Sequence, residues 1–403
     1  MEQRVESAVS NNNYIGLKDI FSAGGSWQSL GQGEQKTLSA FFIKAALSSS
    51  SFLTAAFACK SEAALEVMKT TLSHLPPSVE NAMDNVLREK IFDHLVEDQQ
   101  YREAASVLAG RRMEDHDEDS PYYTTPADKT DTYVKIAECF LNEDDVVEAD
   151  AFVTRAGAAV EALTRKDNGE QAPAEQQHIG LILRYKSTYA RVLDANRKFL
   201  QAASRYYDLS AIGSQTDIIV ADDLVEFLGR AATCAILAPS SSQRQRILGL
   251  VFKDERLSQL DSIPHFQTHA SILKKMYMEQ VIQRDDHLIR FEESLADHQK
   301  ALMSDGLTIV QRALIEHNMV AISQLYSTIY FTALGETLNV TRERAEKIAS
   351  KMILDGSLNA SIDQVDGILT FGEEESPLVS WDGAITSFCM QLNNVTDGVR
   401  QNA

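Results

Sequence analysis

Cysteine is scarce, with Cys59, Cys139, Cys234 and Cys389 the only four in 403 residues, and none has the paired spacing of a zinc ribbon or redox dithiol. Thiols so dispersed fit a reduced, intracellular setting. Long apolar runs are also missing: no stretch of about 18 apolar residues occurs, and the start, MEQRVESAVSNNNY, has no basic segment followed by an apolar one. A soluble chain without a visible secretory address is expected. Cations are in deficit, 38 Lys and Arg against 58 Asp and Glu, which gives a formal charge of -20 and a pI near 4.9. That field repels polyphosphates and anionic membrane surfaces, so neither nucleic acid nor membrane is expected as the main partner.

Catalytic signatures are absent as well. Gly24-Gly25 and Gly31-Gln32-Gly33 lack the lysine and the strand-to-helix setting of a phosphate-cradling loop, and no GxSxG elbow exists. His265 and His269, in HFQTH, have metalloprotease spacing on a helix, but Phe266 stands where the glutamate base is required, so ordinary helix histidines are expected. Asp115, Asp117 and Asp119 imitate the start of a calcium loop, but Ser120 and Pro126 occupy its glycine and glutamate positions. No catalytic residue, cofactor or metal is expected. The basic cluster Arg244, Arg246, Lys253 and Arg256, interspersed with Asp254 and Glu255, reads as an exposed helix face.

What is present is helix, in repeats. At 44% hydrophobic residues the chain can bury a sizeable core. After a polar start, Leu38, Phe41, Phe42 and Ala45 follow helical spacing. From Ile91 a two-helix pattern recurs: Ile91 and Leu95 before Tyr101, Ala104, Ala105 and Leu108; then Tyr133, Ile136, Ala137 and Phe140 before Val146, Ala149 and Val153; then Tyr185, Tyr189 and Val192 before Phe199, Ala202, Ala203 and Tyr206. Tyr101, Val146 and Phe199 hold comparable places at the period of a helical solenoid, and the alanines let paired helices approach closely. Loops are expected near 113–131 and 164–174. Further helices are expected over Asp222–Leu237 and Ser242–Leu250, from Pro264 in a long stretch towards Leu302, and over Ile309–Tyr326.

The stretch Ser327–Phe371 has the order of a winged helix: a strand Ser327–Phe331, a helix Thr332–Leu338, a second helix capped by the Thr341 hydroxyl with Ile348, Met352 and Ile353 as its apolar stripe, Gly356 at its end, and a hairpin turning at Asp366-Gly367. Its second helix alternates Arg342, Glu343, Arg344, Glu346 and Lys347, and its wing carries Asp363 and Asp366 without a cation, which suits protein assembly better than DNA. A short sheet can leave edge groups for a neighbouring copy to extend. After an acidic link, Gly372–Pro377, a last helix repeats Trp381, Ile385, Phe388, Leu392 and Val395 in a narrow, coiled-coil-like seam. The fold class is therefore mostly α: a helical-repeat arm over 1–300, a winged helix over 307–371 and a C-terminal assembly helix over 378–403. The interface candidates are Tyr330, Phe331, Ile362, Ile368, Trp381, Ile385, Phe388, Leu392 and Val395.

A solenoid running into a winged helix and a terminal helix is the plan of the PCI-domain family of scaffold subunits, found in the COP9 signalosome, the proteasome lid and a large translation initiation complex. The segments YARVLDANRKFLQAASRYYDLS (189–210), FKDERLSQL (252–260), IEHNMVAISQLYSTIYFTALGETL (315–338) and AEKIASKMILDGSLNASIDQVDGILTF (345–371), with the tail from Trp381, resemble the COP9 signalosome subunit 4 group within it. The resemblance implies a non-catalytic subunit, in cytoplasm and nucleus, of the complex that removes NEDD8 from cullin-RING ubiquitin ligases, with the isopeptidase in another, metalloprotease-like subunit. It implies that the arm, 38–290, helps grip the cullin and its RING protein, that the winged helix joins a ring of such modules, and that the last helix enters a helical bundle. The alternatives are a scaffold of the proteasome lid or the initiation complex and, from a different class, a winged-helix DNA-binding protein.

Overall fold

The computed structural model describes residues 1–21, 27, 30–48, 52, 56, 62–73, 81–111, 113, 124–164, 178–212, 220–303, 305–372 and 381–392. They form two compact units, the first from Met1–Arg205 with Ile212–Ile218, the second from Tyr206–Ala211 with Ile219–Ala403.

The described elements of the first unit are helices: α1 (Glu2–Ser10), α2 (Tyr14–Phe21), α3 (Gln32–Ser48), α4 (Glu62–Ser73), α5 (Asn81–Glu97), α6 (Tyr101–Ala109), α7 (Pro126–Asn142), α8 (Val146–Thr164), α9 (Ile179–Ala195) and the first half of α10 (Phe199–Ile212). The repeating pattern falls on α5–α6, α7–α8 and α9–α10. Ala104, Ala105, Ala149, Ala202 and Ala203 are fully buried, as close helix approach requires. Tight turns link the pairs, and Gln99, Asp144 and Arg197 each take a left-handed conformation there. Between repeats, Arg184 on α9 donates to Glu138 and Asp131 on α7, and its pKa is raised first by the Glu138 bond.

Two expectations change here. The polar start is two helices, whose Val5, Val9, Leu17, Ile20 and Phe21 are buried in the core. Residues 126–131, expected within the acidic loop, are the first turns of α7: Pro126 takes the first position and the Thr125 hydroxyl accepts from the Asp128 N–H at 3.1 Å. The acidic stretch 114–123, with its calcium-like aspartates, and the polar stretch 165–174 lie outside the described residues.

The second unit holds the rest of α10, α11 (Ala221–Leu237), α12 (Ser242–Phe252), a 3-10 helix (Glu255–Ser262), α13 (His269–Tyr277), α14 (Asp286–Ser294) and α15 (Ile309–Ser323), followed by the winged helix: β1 (Thr328–Tyr330), α16 (Phe331–Leu338), α17 (Arg342–Leu354), β2 (Ala360–Asp363) and β3 (Ile368–Phe371). The long helix expected from Pro264 does not form. Residues 264–268 are turns, α13 begins at His269, and the chain leaves it through left-handed Glu279 into a non-helical segment, 281–285. His265 is therefore exposed on a turn while His269 is buried, so the two histidines do not share a helix face.

The sheet order is β1-β3-β2, antiparallel throughout. Phe331, Leu334 and Leu338 of α16, Ile348, Ala349 and Met352 of α17, and Leu369 of β3 close one core with Ile315, Met319 and Ile322 of α15. α17 ends in a Schellman motif: Ser357 N–H reaches Met352 O at 2.9 Å and Gly356 N–H reaches Ile353 O at 3.1 Å, with Gly356 at φ +69°. Between α16 and α17 the chain turns through left-handed Asn339 and folds so closely that a Cβ on Gly335 would lie 2.8 Å from Val340 O. Only glycine fits there. Thr341 is the N-cap of α17, but its hydroxyl makes no cap bond; only its carbonyl joins the helix, accepting from Ala345. A helix over 381–392 completes the described chain.

Candidate interaction surfaces

α15 is buried nearly all round, and its three consecutive polar residues are each spent on backbone. Glu316 accepts from Ser240 N–H at 3.1 Å and from Arg312 Nε at 3.0 Å. His317 Nε2 lies 2.9 Å from Gln280 O, and since a carbonyl only accepts, that nitrogen carries the proton. Asn318 reads both polar groups of Ile282, accepting from its N–H and donating to its C=O at 2.8 Å each. This run holds the start of the non-helical segment 281–285: Gln280 O and both main-chain groups of Ile282 are partnered by α15 side chains instead of by a helix of their own.

The arginine cluster is not an exposed face. Arg244 is buried, donating to Ala235 O and Ile236 O at 3.1 Å each, so it satisfies orphan carbonyls at the C-terminus of α11. Burial pushes its pKa down to about 10, while Glu316 acts the other way. Arg256 is clamped to Asp254 and Ser210 O, and only Arg246 and Lys253 are exposed. Two histidines are held neutral. His269 Nε2 is 2.9 Å from Thr233 Oγ1, whose own proton goes to Gly229 O, and its ring packs edge-on to Phe266 and Phe291. Desolvation lowers the pKa of His269 and of His317 to about 4 each.

The interface candidates separate into three sets. Phe331 is corrected: it is the first residue of α16, 1% exposed, and its ring belongs to the module's own core, so it offers nothing to a partner. The strand expected through Phe331 stops one residue earlier, and that changes which way the side chain points. Ile362 is half-buried against the same core, and Ile368 is half-buried on the central strand. Tyr330 is 60% exposed, and Leu325 and Tyr326, a few residues earlier in the chain, are exposed as well. Trp381, Ile385, Phe388 and Leu392 are exposed on the last helix, in which every residue is exposed; Val395 lies outside the described residues.

The register fixes which backbone groups the sheet offers. Phe331 N–H bonds Gly367 O and Phe371 N–H bonds Ser327 O, so the alternating Thr328 and Tyr330 turn their N–H groups away from β3. On the other edge, Gly372 N–H bonds Asn359 O, which turns Ala360 and Ile362 outward. Neither edge strand carries the lysine, proline or bulge that natural edges use to repel a further strand. The wing is acidic: Asp363 Oδ1 accepts from Val365 and Asp366 N–H, and Gln364 donates to Glu346. Among the described residues no group of three His, Cys, Asp or Glu is arranged to hold a metal, and no helix is long and apolar enough to cross a membrane.

The model of the PCI domain matches residues 295–373, the segment built on α15 and the winged helix. COP9 signalosome complex subunit 4 of Drosophila melanogaster is 38% identical over 331 residues, 82% of this chain and 74% of that protein. The chain belongs to the COP9 signalosome subunit 4 family. Its Arabidopsis thaliana relative of the same name is 35% identical over 340 residues, 83% of this chain and 79% of that protein, and the Dictyostelium discoideum one 34% over 300 residues, 74% and 68%. For a subunit 4 family member, the α15 polar run and the Arg244 cap are the features pattern reading missed: charge in sequence says nothing of which charged groups are buried. The one available signal was Glu316-His317-Asn318 sitting inside an otherwise apolar helix.

Proposed function

We propose that this chain is a non-catalytic scaffold subunit of the COP9 signalosome, assembled through its winged helix and its last helix, and that it helps bind cullin-RING ligases for removal of NEDD8 by another subunit. The single observation that carries this reading is the combination of family membership with a PCI segment whose sheet has two edge strands without lysine, proline or bulge. Its partners on this reading are the other signalosome subunits, the cullin and the RING protein, and it works in cytoplasm and nucleus. The helical repeats over 1–300 act as the arm towards the ligase, 307–371 as the ring-forming module, and 378–403 as the bundle helix. The DNA reading is disfavoured by the wing, whose own residues include Asp363 and Asp366 and no Lys or Arg to meet phosphate. The edge is tested with Tyr330→Lys. A charge placed at the edge of β1 opposes a further strand, and since Tyr330 is exposed the fold is kept. The variant is expected to melt like the parent and to enter the assembled complex at least tenfold less well in competition with it; equal incorporation would remove β1 from the interface.

A further inference from the structure

A cavity of about 840 Å³ in the second unit lies on the winged helix and is framed by segment 282–284, the first half of α15 and the α16–α17 turn. That volume suits a peptide segment better than a lone ion. Its floor is apolar, with Leu288, Leu307, Leu314 and Val340, and its rim carries three arginines, Arg284, Arg342 and Arg344. In a chain of charge -20 such a concentration of cations is out of keeping with the rest. Two of them also sit where a helix disfavours them. Arg342 and Arg344 occupy the first and third positions of α17, against its positive end; both are exposed, Arg342 lying against Gly367, and among the described residues neither has a hydrogen bond or an ion pair. The adjoining Thr341 hydroxyl caps nothing. Arg284 is held only loosely, 3.6 Å from Glu292. The carboxylates on the lining, Glu292 and Glu336, do not match the three guanidinium groups.

We propose that this groove docks an extended acidic segment of a partner protein, its carboxylates on Arg284, Arg342 and Arg344 and an apolar side chain on the floor. A guanidinium takes a carboxylate in a two-pronged bond, and the first-turn N–H groups of α17 add donors beside it. The occupant's carboxylates offset the repulsion between Arg342, Arg344 and the positive end of α17. An acidic peptide is favoured over a phosphate backbone because a duplex has no apolar side chain to place on Leu288, Leu307, Leu314 and Val340. This goes beyond assembly through the sheet edge, and the groove can fail while assembly stands.

The test uses the full chain and a fluorescein-labelled peptide with two glutamate triplets flanking a Leu-Val pair, followed by anisotropy. Binding is expected, weakened at least tenfold by Arg342→Gln with Arg344→Gln and weakened likewise when the peptide's glutamates become glutamine. Circular dichroism is expected to give the parent's melting curve for the double variant, whose substituted side chains are exposed. Unchanged binding of either the double variant or the glutamine peptide would overturn the proposal. So would no binding at all, or a 20-base-pair duplex that binds more tightly than the peptide with the same arginine dependence.

Discussion

Removing residues 381–403 is expected to leave the melting curve unchanged and to abolish incorporation into the complex. The helix over 381–392 contributes no buried residue, so the folded units lose no core on its removal. Its stripe of Trp381, Ile385, Phe388 and Leu392 is 69%, 50%, 64% and 51% exposed. Such a stripe is an unstable surface in water and a good one in a bundle, where four large side chains contribute on the order of 6–10 kcal/mol before ordering costs. Trp381→Ala with Phe388→Ala should reproduce most of the effect without shortening the chain. The readout is size-exclusion of the reconstituted complex beside thermal unfolding of the subunit alone. Stoichiometric incorporation of the truncated chain would exclude the helix from assembly.

Acidification should destabilise the second unit well above the carboxylate range. His269 and His317 are buried neutral, with pKa values near 4 against 6.5 for an ordinary histidine. The unfolded chain therefore binds more protons between pH 6.5 and 4, so stability is full above about 6.5 and falls as the pH is lowered. At pH 5 each histidine costs about 2 kcal/mol relative to pH 7.5, together about 4 kcal/mol. Asp254 and Asp285 also have lowered pKa values, chiefly through bonds from Arg256 and Lys275, but that stability is lost only as pH falls below their ordinary 3.8, so the two windows separate. Urea unfolding from pH 7.5 to 5 measures the slope. His317→Gln keeps an N–H donor for Gln280 O and should halve it; a flat profile in the parent would contradict the burial of both rings.

Most of the architecture was readable because it rests on periodicity. The paired helices from Ile91 to Tyr206 announce themselves through apolar spacing and small alanines, and the winged helix through its turn residues: Gly356 and Gly367 both have positive φ where the sequence asks for it. What escaped was decided by partners distant in sequence. α13 and α14 look like one helix until Asn318 and His317, some 36 residues on, take over the main chain of Ile282 and Gln280. Arg244 reads as a surface cation until α11 is seen to end against it. Phe331 lies one residue past the end of β1, enough to turn an interface candidate into core. In the terminal helix the reverse holds: its seam was plain in sequence, and the exposure of that seam supplies the reason to look for a partner.

The most direct measurement is quantitative mass spectrometry of everything that co-purifies with the full-length protein from its own cells. The expected result is the other PCI-type signalosome subunits and a metalloprotease subunit in equimolar amounts, with cullin and RING proteins at lower, salt-sensitive levels. Recovery with proteasome-lid or initiation-complex subunits instead, or of the chain alone on chromatin, would contradict it.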